Sequence, residues 1–283
     1  MTKPSVLELK RRKGARLAML TAYDFPSARL VSEAGVDLIL VGDSLGMVVL
    51  GYDSTTPVTM EDMVHHTKAA RRGAPEAFLI ADLPFLSYAT VPDAIANAAR
   101  LMKDARADSV KLEGGDEEAA RHVSTLIRAG IPVLGHIGLT PQSVHVLGGY
   151  RVQGRRATEA ERLHEEAGRL EAAGAFGVVL ELLPRALSRE ITSVLSIPTI
   201  GIGSGPDVDG QVLVLPDALG LNEGFEPRFL RRFAELGRAA RDGVRGYAEA
   251  VRNSRLAWCA LSLGTGQAGK RHGADGGGLA AAR

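Results

Sequence analysis

The sequence contains little cysteine and few aromatic residues, and it carries almost no net charge. One cysteine, Cys259, occurs among 283 residues, which excludes an intrachain disulfide framework and fits a reducing compartment. Lysine and arginine total 34 against 33 aspartates and glutamates, for a formal net charge of +1. The whole-protein field therefore attracts neither nucleic acid nor an anionic membrane, and we expect neither as a partner.

Long apolar runs are also missing. No segment has the roughly 20 consecutive apolar residues that span a bilayer, and the N-terminal MTKPSVLELKRRKG lacks the apolar part of a secretory signal. At 45% hydrophobic and 24% charged residues, the chain still has enough apolar material for a large core. We expect a soluble globular protein of the cytoplasm.

Short runs rich in Val, Ile and Leu alternate with longer amphipathic segments. Continuous hydrophobicity is typical of parallel strands that are covered on both faces, and the alternation is typical of crossover helices. Eight strand-helix units in this length indicate an α/β fold of the (β/α)8 TIM barrel type, with a doubly wound open sheet as the main alternative. The eight runs lie at about 16–23, 36–43, 77–84, 108–113, 131–137, 176–183, 197–203 and 211–217.

The two ends of the chain differ from this body. Residues 1–14 predict a lead-in helix that caps the floor of the barrel. No linker divides the remainder of the body, so residues 1–255 are predicted to form a single catalytic barrel domain. Residues 256–283 are rich in glycine and alanine and nearly free of bulky apolar side chains, which predicts a disordered tail.

Four carboxylates each end, or nearly end, one of the apolar runs: Asp43, Asp82, Glu113 and Glu181. If those runs are parallel strands, the four groups meet at the carboxyl end of a barrel, where barrel enzymes place their sites. Crowded carboxylates repel one another, so the pattern predicts a bound cation, raised pKa values, or both.

Three of these carboxylates suit a metal site. Asp43, Asp82 and Glu113 supply oxygen ligands for a hard cation such as Mg²⁺, whereas histidine and cysteine do not cluster as zinc requires. Lys111 lies two residues before Glu113 and shares its strand face, where it could offset negative charge on a substrate. The alternative for Asp43 and Ser44 is a loop or helix cap.

Glu181 and His136 are the candidates for acid-base and substrate contacts. Glu181 follows a run of apolar residues, and apolar surroundings make a carboxylate a stronger proton acceptor near neutral pH. Its alternative role is an ion pair with Arg185 or another arginine. His136 ends the fifth run and is predicted to contact substrate, with a core histidine as the alternative. The glycine-rich segment 201–211 lacks G-x-G-x-x-G spacing, which argues against a dinucleotide site.

Several segments together resemble the ketopantoate hydroxymethyltransferase family over about residues 5–253. They are TAYD (21–24), VGDSLGMV (41–48), TTPVTMEDMVHHT (55–67), ADLPF-x-SY (81–88), VKLEGG (110–115), GHIGLTPQSVHVLGGYRVQGR (135–155), ELLP (181–184) and GIGSGPDVDGQVLV (201–214). Two positions depart from the family pattern: Leu86 stands where glycine is common, and Ser204 where alanine is usual.

The resemblance implies Mg²⁺-dependent transfer of a one-carbon unit from 5,10-methylenetetrahydrofolate to 3-methyl-2-oxobutanoate, through a metal-stabilised enolate. The product would be 2-dehydropantoate, on the route to pantothenate and coenzyme A. It also implies a homo-oligomer, typically a decamer. Carried onto this sequence, the family roles are metal and substrate binding for Asp43 and Asp82, metal binding for Glu113, substrate binding for Ser44 and Lys111, and general base for Glu181; His136 is our addition.

Two other functions fit parts of the pattern. An enzyme of the phosphoenolpyruvate mutase or isocitrate lyase type would share a Mg²⁺-stabilised enolate, but such lyases generally use a reactive loop cysteine, and Cys259 lies in no such context. A noncatalytic barrel would be expected to have lost some of the five groups that carry the chemistry. All five are present: Asp43, Asp82, Lys111, Glu113 and Glu181.

Overall fold

Eight parallel strands close into a barrel in the computed structural model, which describes residues 3–253. Each strand pairs with the next along the chain, and β8 pairs with β1. This confirms the predicted (β/α)8 barrel and excludes the open sheet. The strands are β1 Leu17–Thr21, β2 Leu38–Val41, β3 Phe78–Asp82, β4 Ser109–Glu113, β5 Val133–Gly138, β6 Gly177–Glu181, β7 Thr199–Ile202 and β8 Gly210–Leu213.

The helices lie before, between and after the strands in the chain. They are α1 Val6–Arg11, α2 Phe25–Glu33, α3 Leu45–Val48, α4 Met60–Gly73, α5 Val91–Ala99, α6 Glu117–Arg128, α7 Val144–Leu147, α8 Ala157–Ala172, α9 Arg185–Val194, α10 Leu215–Ala218 and α11 Leu236–Arg252. A π-helical turn, Arg100–Asp104, extends α5, and a 3₁₀ turn, Pro141–Ser143, precedes α7. No helix within residues 3–253 is long and apolar enough to cross a membrane.

Alternate strand residues enter two separate apolar clusters. Ile39 and Leu79 face outward and pack beneath the helices, whereas Leu38, Phe78 and Ile80 face inward and fill the barrel. The strands are buried on both faces, which is why their sequences are continuously hydrophobic.

The lead-in helix closes the floor of the barrel, as predicted. Ser5 caps α1, and its capping box with Glu8 fixes the first turn. Leu9 is 1% exposed and belongs to the apolar cluster inside the barrel.

Acidic residues directly precede three strands at the amino end of the barrel, and all three follow one pattern. Asp37, Asp108 and Asp209 each form an ion pair and each accept an amide hydrogen bond from a neighbouring strand. The ion pairs are Arg12–Asp37 at 2.8 Å, Arg71–Asp108 at 2.5 Å and Lys13–Asp209 at 2.8 Å, and the amides belong to Ala18, Leu79 and Thr199. These contacts tie adjacent strands together where the barrel begins.

The chain divides into two compact units, Met1–Arg238 and Ala239–Arg283. The first contains the complete barrel. Helix α11 crosses the boundary and has no buried residue. The single domain over residues 1–255 stays a prediction, and the predicted disordered tail, residues 256–283, lies outside the described residues.

Leu86, in the loop after β3, has the backbone conformation of a glycine. Its φ is +62°, and its side chain is 65% exposed. A left-handed conformation costs an L-residue about 1–2 kcal/mol. A glycine at position 86 would therefore be less strained than Leu86.

Candidate active site

All seven side chains selected from the sequence line one cavity at the carboxyl end of the barrel. Its volume is about 910 Å³. On β3 to β6, the site residues share the inward parity of Ile80, Leu134 and Val179 in the barrel core, so the strand pattern itself directs them to the cavity. The seven are Asp43, Ser44, Asp82, Lys111, Glu113, His136 and Glu181.

Asp82 and Lys111 form the buried centre of the site. Lys111 Nζ lies 3.1 Å from Asp82 Oδ2, and the same oxygen accepts the Asp43 amide hydrogen at 3.1 Å. The other oxygen, Asp82 Oδ1, is buried without a hydrogen-bond partner among the described residues. A buried acceptor of this kind is costly, so it marks a place for a ligand.

Gln142 connects the two outer carboxylates. Its amide nitrogen Nε2 donates to Asp43 Oδ2 at 2.8 Å and to the Leu83 carbonyl at 2.9 Å, while its backbone N–H donates to Glu113 Oε2 at 3.0 Å. The Tyr88 hydroxyl donates to Gln142 Oε1 at 2.6 Å. Neither Gln142 nor Tyr88 was selected from the sequence, although each lies in a segment shared with the family.

His136 stands between Glu113 and Glu181. Its Nδ1 lies 3.3 Å from Lys111 Nζ and 3.5 Å from Glu113 Oε1, and its Nε2 lies 3.2 Å from Glu181 Oε2. The last contact is close but is not aligned as a hydrogen bond. Burial and Lys111 lower the pKa of His136, but the two glutamates outweigh them and raise it to about 9. His136 thus lines the cavity between two carboxylates, and its contact with substrate stays a prediction.

The carboxylates at the centre repel one another. Burial is the main reason why the pKa of Asp43 lies well above its usual value, and Asp82 and Glu113 raise it further. Burial also raises the pKa of Asp82, against the opposing effect of Lys111. Both directions agree with the raised pKa values expected of crowded, buried carboxylates.

The donor set fits a hard divalent cation. Within residues 3–253, no three His, Cys, Asp or Glu side chains already stand as a closed metal site. However, Asp82 Oδ1 lacks a partner and Asp43 lacks a cation of its own. Carboxylate oxygens are the ligands that Mg²⁺ prefers. The ligand set Asp43, Asp82 and Glu113 stays a prediction.

Ser44 reaches into the site and does not cap the helix that follows it. Its side chain makes no capping bond to α3. Instead, Ser44 Oγ lies 2.9 Å from the hydroxyl of Tyr23, a buried residue to which the sequence pattern assigned no role. The alternative of a structural cap is therefore wrong for Ser44.

Glu181 ends β6 with its side chain 17% exposed. Arg185 pairs with Asp207 at 2.6 Å, so the alternative ion pair with Glu181 is wrong. Parity turns Leu180 outward, whereas Val179 and Leu182 line the cavity together with Glu181. Glu181 thus faces the cavity beside apolar side chains and the His136 imidazole.

A tight turn after β6 fixes the backbone of Glu181. Leu182 has a φ of +48°, and its amide donates to the Ile202 carbonyl at 2.9 Å. The fully buried Ser204 bridges this turn: its hydroxyl donates to the Leu180 carbonyl at 2.7 Å and accepts the Leu183 amide hydrogen at 3.1 Å. Ser204 therefore makes hydrogen bonds around Glu181 that an alanine could not make.

Comparison with known proteins agrees with this site. The family model described as ketopantoate hydroxymethyltransferase matches residues 2–256. The chain belongs to this family. Proteins named 3-methyl-2-oxobutanoate hydroxymethyltransferase are similar to it, and the chain is a hydroxymethyltransferase. A relative from Thermus thermophilus is 59% identical over 88% of this chain and 95% of its own. A relative from Moorella thermoacetica is 54% identical over 90% of this chain and 95% of its own.

Solved structures share the family's fold at low sequence identity. Phosphonopyruvate hydrolase in complex with oxalate and Mg²⁺ superposes with a TM-score of 0.61 at 14% identity, over 94% of this chain and 92% of that one. A 2,3-dimethylmalate lyase of the PEP mutase/isocitrate lyase superfamily gives 0.57 at 15% identity, over 91% of each chain. At these identities, the likeness supports the fold alone.

Proposed function

We propose that this protein transfers a hydroxymethyl group from 5,10-methylenetetrahydrofolate to 3-methyl-2-oxobutanoate, giving 2-dehydropantoate. Membership of the family supports 2-dehydropantoate, also called ketopantoate, as the product. The observation that carries the mechanism is the buried cluster of Asp43, Asp82, Glu113 and Lys111, with Glu181 beside it on the same cavity. The donor, the metal and the order of steps are our proposal.

The cluster would bind a cation and the 2-oxo acid together. Asp43, Asp82 and Glu113 would hold Mg²⁺. When bound, the ion would polarise the ketone and make the C3 hydrogen more acidic. The Lys111 ammonium lies in the same buried space, where it offsets negative charge on the substrate oxygens. The Ser44 hydroxyl is a further donor to those oxygens.

Glu181 would act as the general base. Its carboxylate takes the proton from C3, and the electron pair of the C3–H bond makes C3 the nucleophilic carbon of an enolate. This carbon attacks the methylene carbon of the folate and breaks one of its two C–N bonds, and that nitrogen takes up the proton removed from C3. Water then breaks the second C–N bond: its hydroxyl stays on the methylene carbon and its other proton leaves on the nitrogen of tetrahydrofolate. His136, 3.2 Å from Glu181, would orient the carboxylate of the base.

Location and assembly belong to the same proposal. We propose a cytoplasmic location, which rests on the single cysteine of the sequence. We also propose a homo-oligomer, with the decamer of the resembling family as the expected size. Light scattering of the purified protein measures that size directly.

The test of the function is a reaction with defined substrates. The purified protein is mixed with 3-methyl-2-oxobutanoate and 5,10-methylenetetrahydrofolate, and 2-dehydropantoate is followed by NMR. We expect product with Mg²⁺, none after chelation by EDTA, and recovery when Mg²⁺ is added in excess. Formation of product that is insensitive to EDTA would contradict the metal, and absence of product under all three conditions would contradict the function.

A further inference from the structure

Gln142 holds two of the proposed metal ligands from outside the cavity. It is 4% exposed and is not among the residues that line the cavity, yet it hydrogen-bonds to Asp43 and Glu113, which do line it. A residue that stands behind its neighbours acts on a bound ion through them. We propose that Gln142 is a positioning residue that orients Asp43 and Glu113 toward a divalent cation, an inference that rests on the proposed function.

Gln142 contacts one oxygen of each of these carboxylates. Its Nε2 donates to Asp43 Oδ2 at 2.8 Å, and its backbone N–H donates to Glu113 Oε2 at 3.0 Å. Asp82, the third proposed ligand, is divided in the same way, because its Oδ2 accepts the Asp43 amide hydrogen and its Oδ1 has no partner among the described residues. When the protein holds one oxygen of a carboxylate, the direction of the other oxygen is fixed.

Only one orientation of the Gln142 side-chain amide satisfies its neighbours. Its Nε2 lies 2.9 Å from the Leu83 carbonyl oxygen as well as 2.8 Å from Asp43 Oδ2, and both of these oxygens are acceptors. Its Oε1 accepts a hydrogen bond from the Tyr88 hydroxyl at 2.6 Å. A flipped amide would place Oε1 against two acceptors and would repel Asp43. The surrounding chain, including Tyr88, therefore fixes the amide in the orientation that holds Asp43.

A neutral donor suits this place better than a charged one. The carboxylates of Asp43, Asp82 and Glu113 all act on the ammonium of Lys111. An amide fixes a carboxylate oxygen by a hydrogen bond and leaves the negative charge of the carboxylate in place, whereas a cationic side chain at position 142 would neutralise charge that attracts the metal ion. Removal of such an outer partner usually weakens metal binding by about 10- to 100-fold.

The test is the binding of Mn²⁺, an EPR-visible ion that also prefers oxygen ligands, to the full-length protein without substrates. Gln142→Met removes Nε2 and nearly keeps the length of the side chain, so the dissociation constant for Mn²⁺ should rise about tenfold. Gln153→Met is the matched control, because the Gln153 side-chain amide donates to the Arg151 carbonyl and not to a carboxylate. Its Mn²⁺ affinity should equal that of the wild type.

A merely structural role for Gln142 predicts a different result. In that case Gln142→Met would lower the free energy of unfolding in urea, but the folded variant would bind Mn²⁺ as the wild type does. Wild-type Mn²⁺ affinity in Gln142→Met would therefore overturn the inference, whatever the change in stability.

Tyr88→Phe covers the case in which Gln142→Met fails to fold. It keeps the ring and removes the hydroxyl that donates to Gln142 Oε1, so it should weaken Mn²⁺ binding about threefold. If Tyr88→Phe is the only variant that folds, wild-type affinity in it would overturn the inference. Absence of Mn²⁺ binding in the wild type would contradict the metal of the proposed function as well, so the two failures are distinguishable.

Discussion

Acidic residues stand at both ends of the barrel, and their partners differ. At the amino end, Asp37, Asp108 and Asp209 each have a basic partner and an amide donor from a neighbouring strand. At the carboxyl end, Asp43 and Asp82 share the single ammonium of Lys111, and one oxygen of Asp82 has no partner among the described residues.

The pKa values follow this difference. Burial alone would raise the pKa of Asp209, but Lys13 and the amides of Thr199 and Gly14 outweigh burial and lower it. Burial raises the pKa of Asp43 and Asp82 without being outweighed. One end of the fold therefore uses carboxylates to stabilise the barrel, and the other holds carboxylates ready for a ligand at a cost in stability.

Removing one aspartate from each end gives the largest expected contrast. Asp209→Ala should lower the free energy of unfolding by about 2 kcal/mol, because Lys13 and the Thr199 amide lose their partner. Asp43→Ala should leave that free energy unchanged or higher in metal-free buffer, because like-charge repulsion disappears. It should nevertheless abolish Mg²⁺-dependent binding of the 2-oxo acid.

Urea unfolding and calorimetry with 3-methyl-2-oxobutanoate measure these two properties. If Asp209→Ala and Asp43→Ala lower the free energy of unfolding equally, the proposed difference between the amino and carboxyl ends of the barrel is wrong. Retained metal-dependent binding in Asp43→Ala would remove Asp43 from the ligand set.

The pH dependence sharpens the contrast at the amino end. The pKa of Asp209 is lower in the folded protein than in the unfolded chain, where it is roughly 4. When the pH falls below that value, the unfolded chain binds a proton at Asp209 more readily than the folded protein does, which favours unfolding. The stabilisation by Asp209 is therefore complete above about pH 4 and is lost as pH falls further. Asp209→Asn lacks this stabilisation at every pH.

The measurement is urea unfolding of wild type and Asp209→Asn between pH 6 and pH 3. The difference in free energy of unfolding should narrow toward pH 3. A difference that stays constant or widens on acidification would show that Asp209 does not stabilise the fold through its charge.

Ser204 offers the smallest of the three effects. Ser204→Ala removes the hydroxyl's hydrogen bonds around the β6 turn, and kcat should fall about threefold while KM changes little, because the backbone of Glu181 is less fixed. Ser109→Ala is the matched control, since Ser109 is fully buried on β4 and its hydroxyl has no hydrogen-bond partner among the described residues. A drop in kcat that is equal in both variants would exclude a positioning role.

The fold and the location of the site follow from local sequence patterns. Each apolar run is a strand because both of its faces are buried, and a residue two positions after an inward-facing one must also face inward, which brings Asp82, Lys111 and Glu181 to one cavity. The lead-in helix was likewise predictable, from its amphipathic pattern.

Contacts between distant loops were not predictable in this way. Gln142 reaches Asp43 across 99 residues of sequence, and Tyr88 reaches Gln142 across 54. Their geometry depends on how loops fold over the barrel, which no periodicity encodes. The partner of Glu181 was missed for a different reason: His136 lies on another strand, and its distance from Glu181 depends on the register between the two strands.

The measurement that tests the central claim most directly is exchange of the C3 hydrogen of 3-methyl-2-oxobutanoate in D₂O, followed by NMR with and without Mg²⁺. Wild type and Glu181→Gln are compared with Glu165→Gln, a control on α8 whose partner is Arg169. We predict Mg²⁺-dependent exchange in the wild type and the control, and a rate lower by about 100-fold or more in Glu181→Gln, the scale of losing a general base. Exchange at the wild-type rate in Glu181→Gln would contradict the assignment of Glu181 as the base.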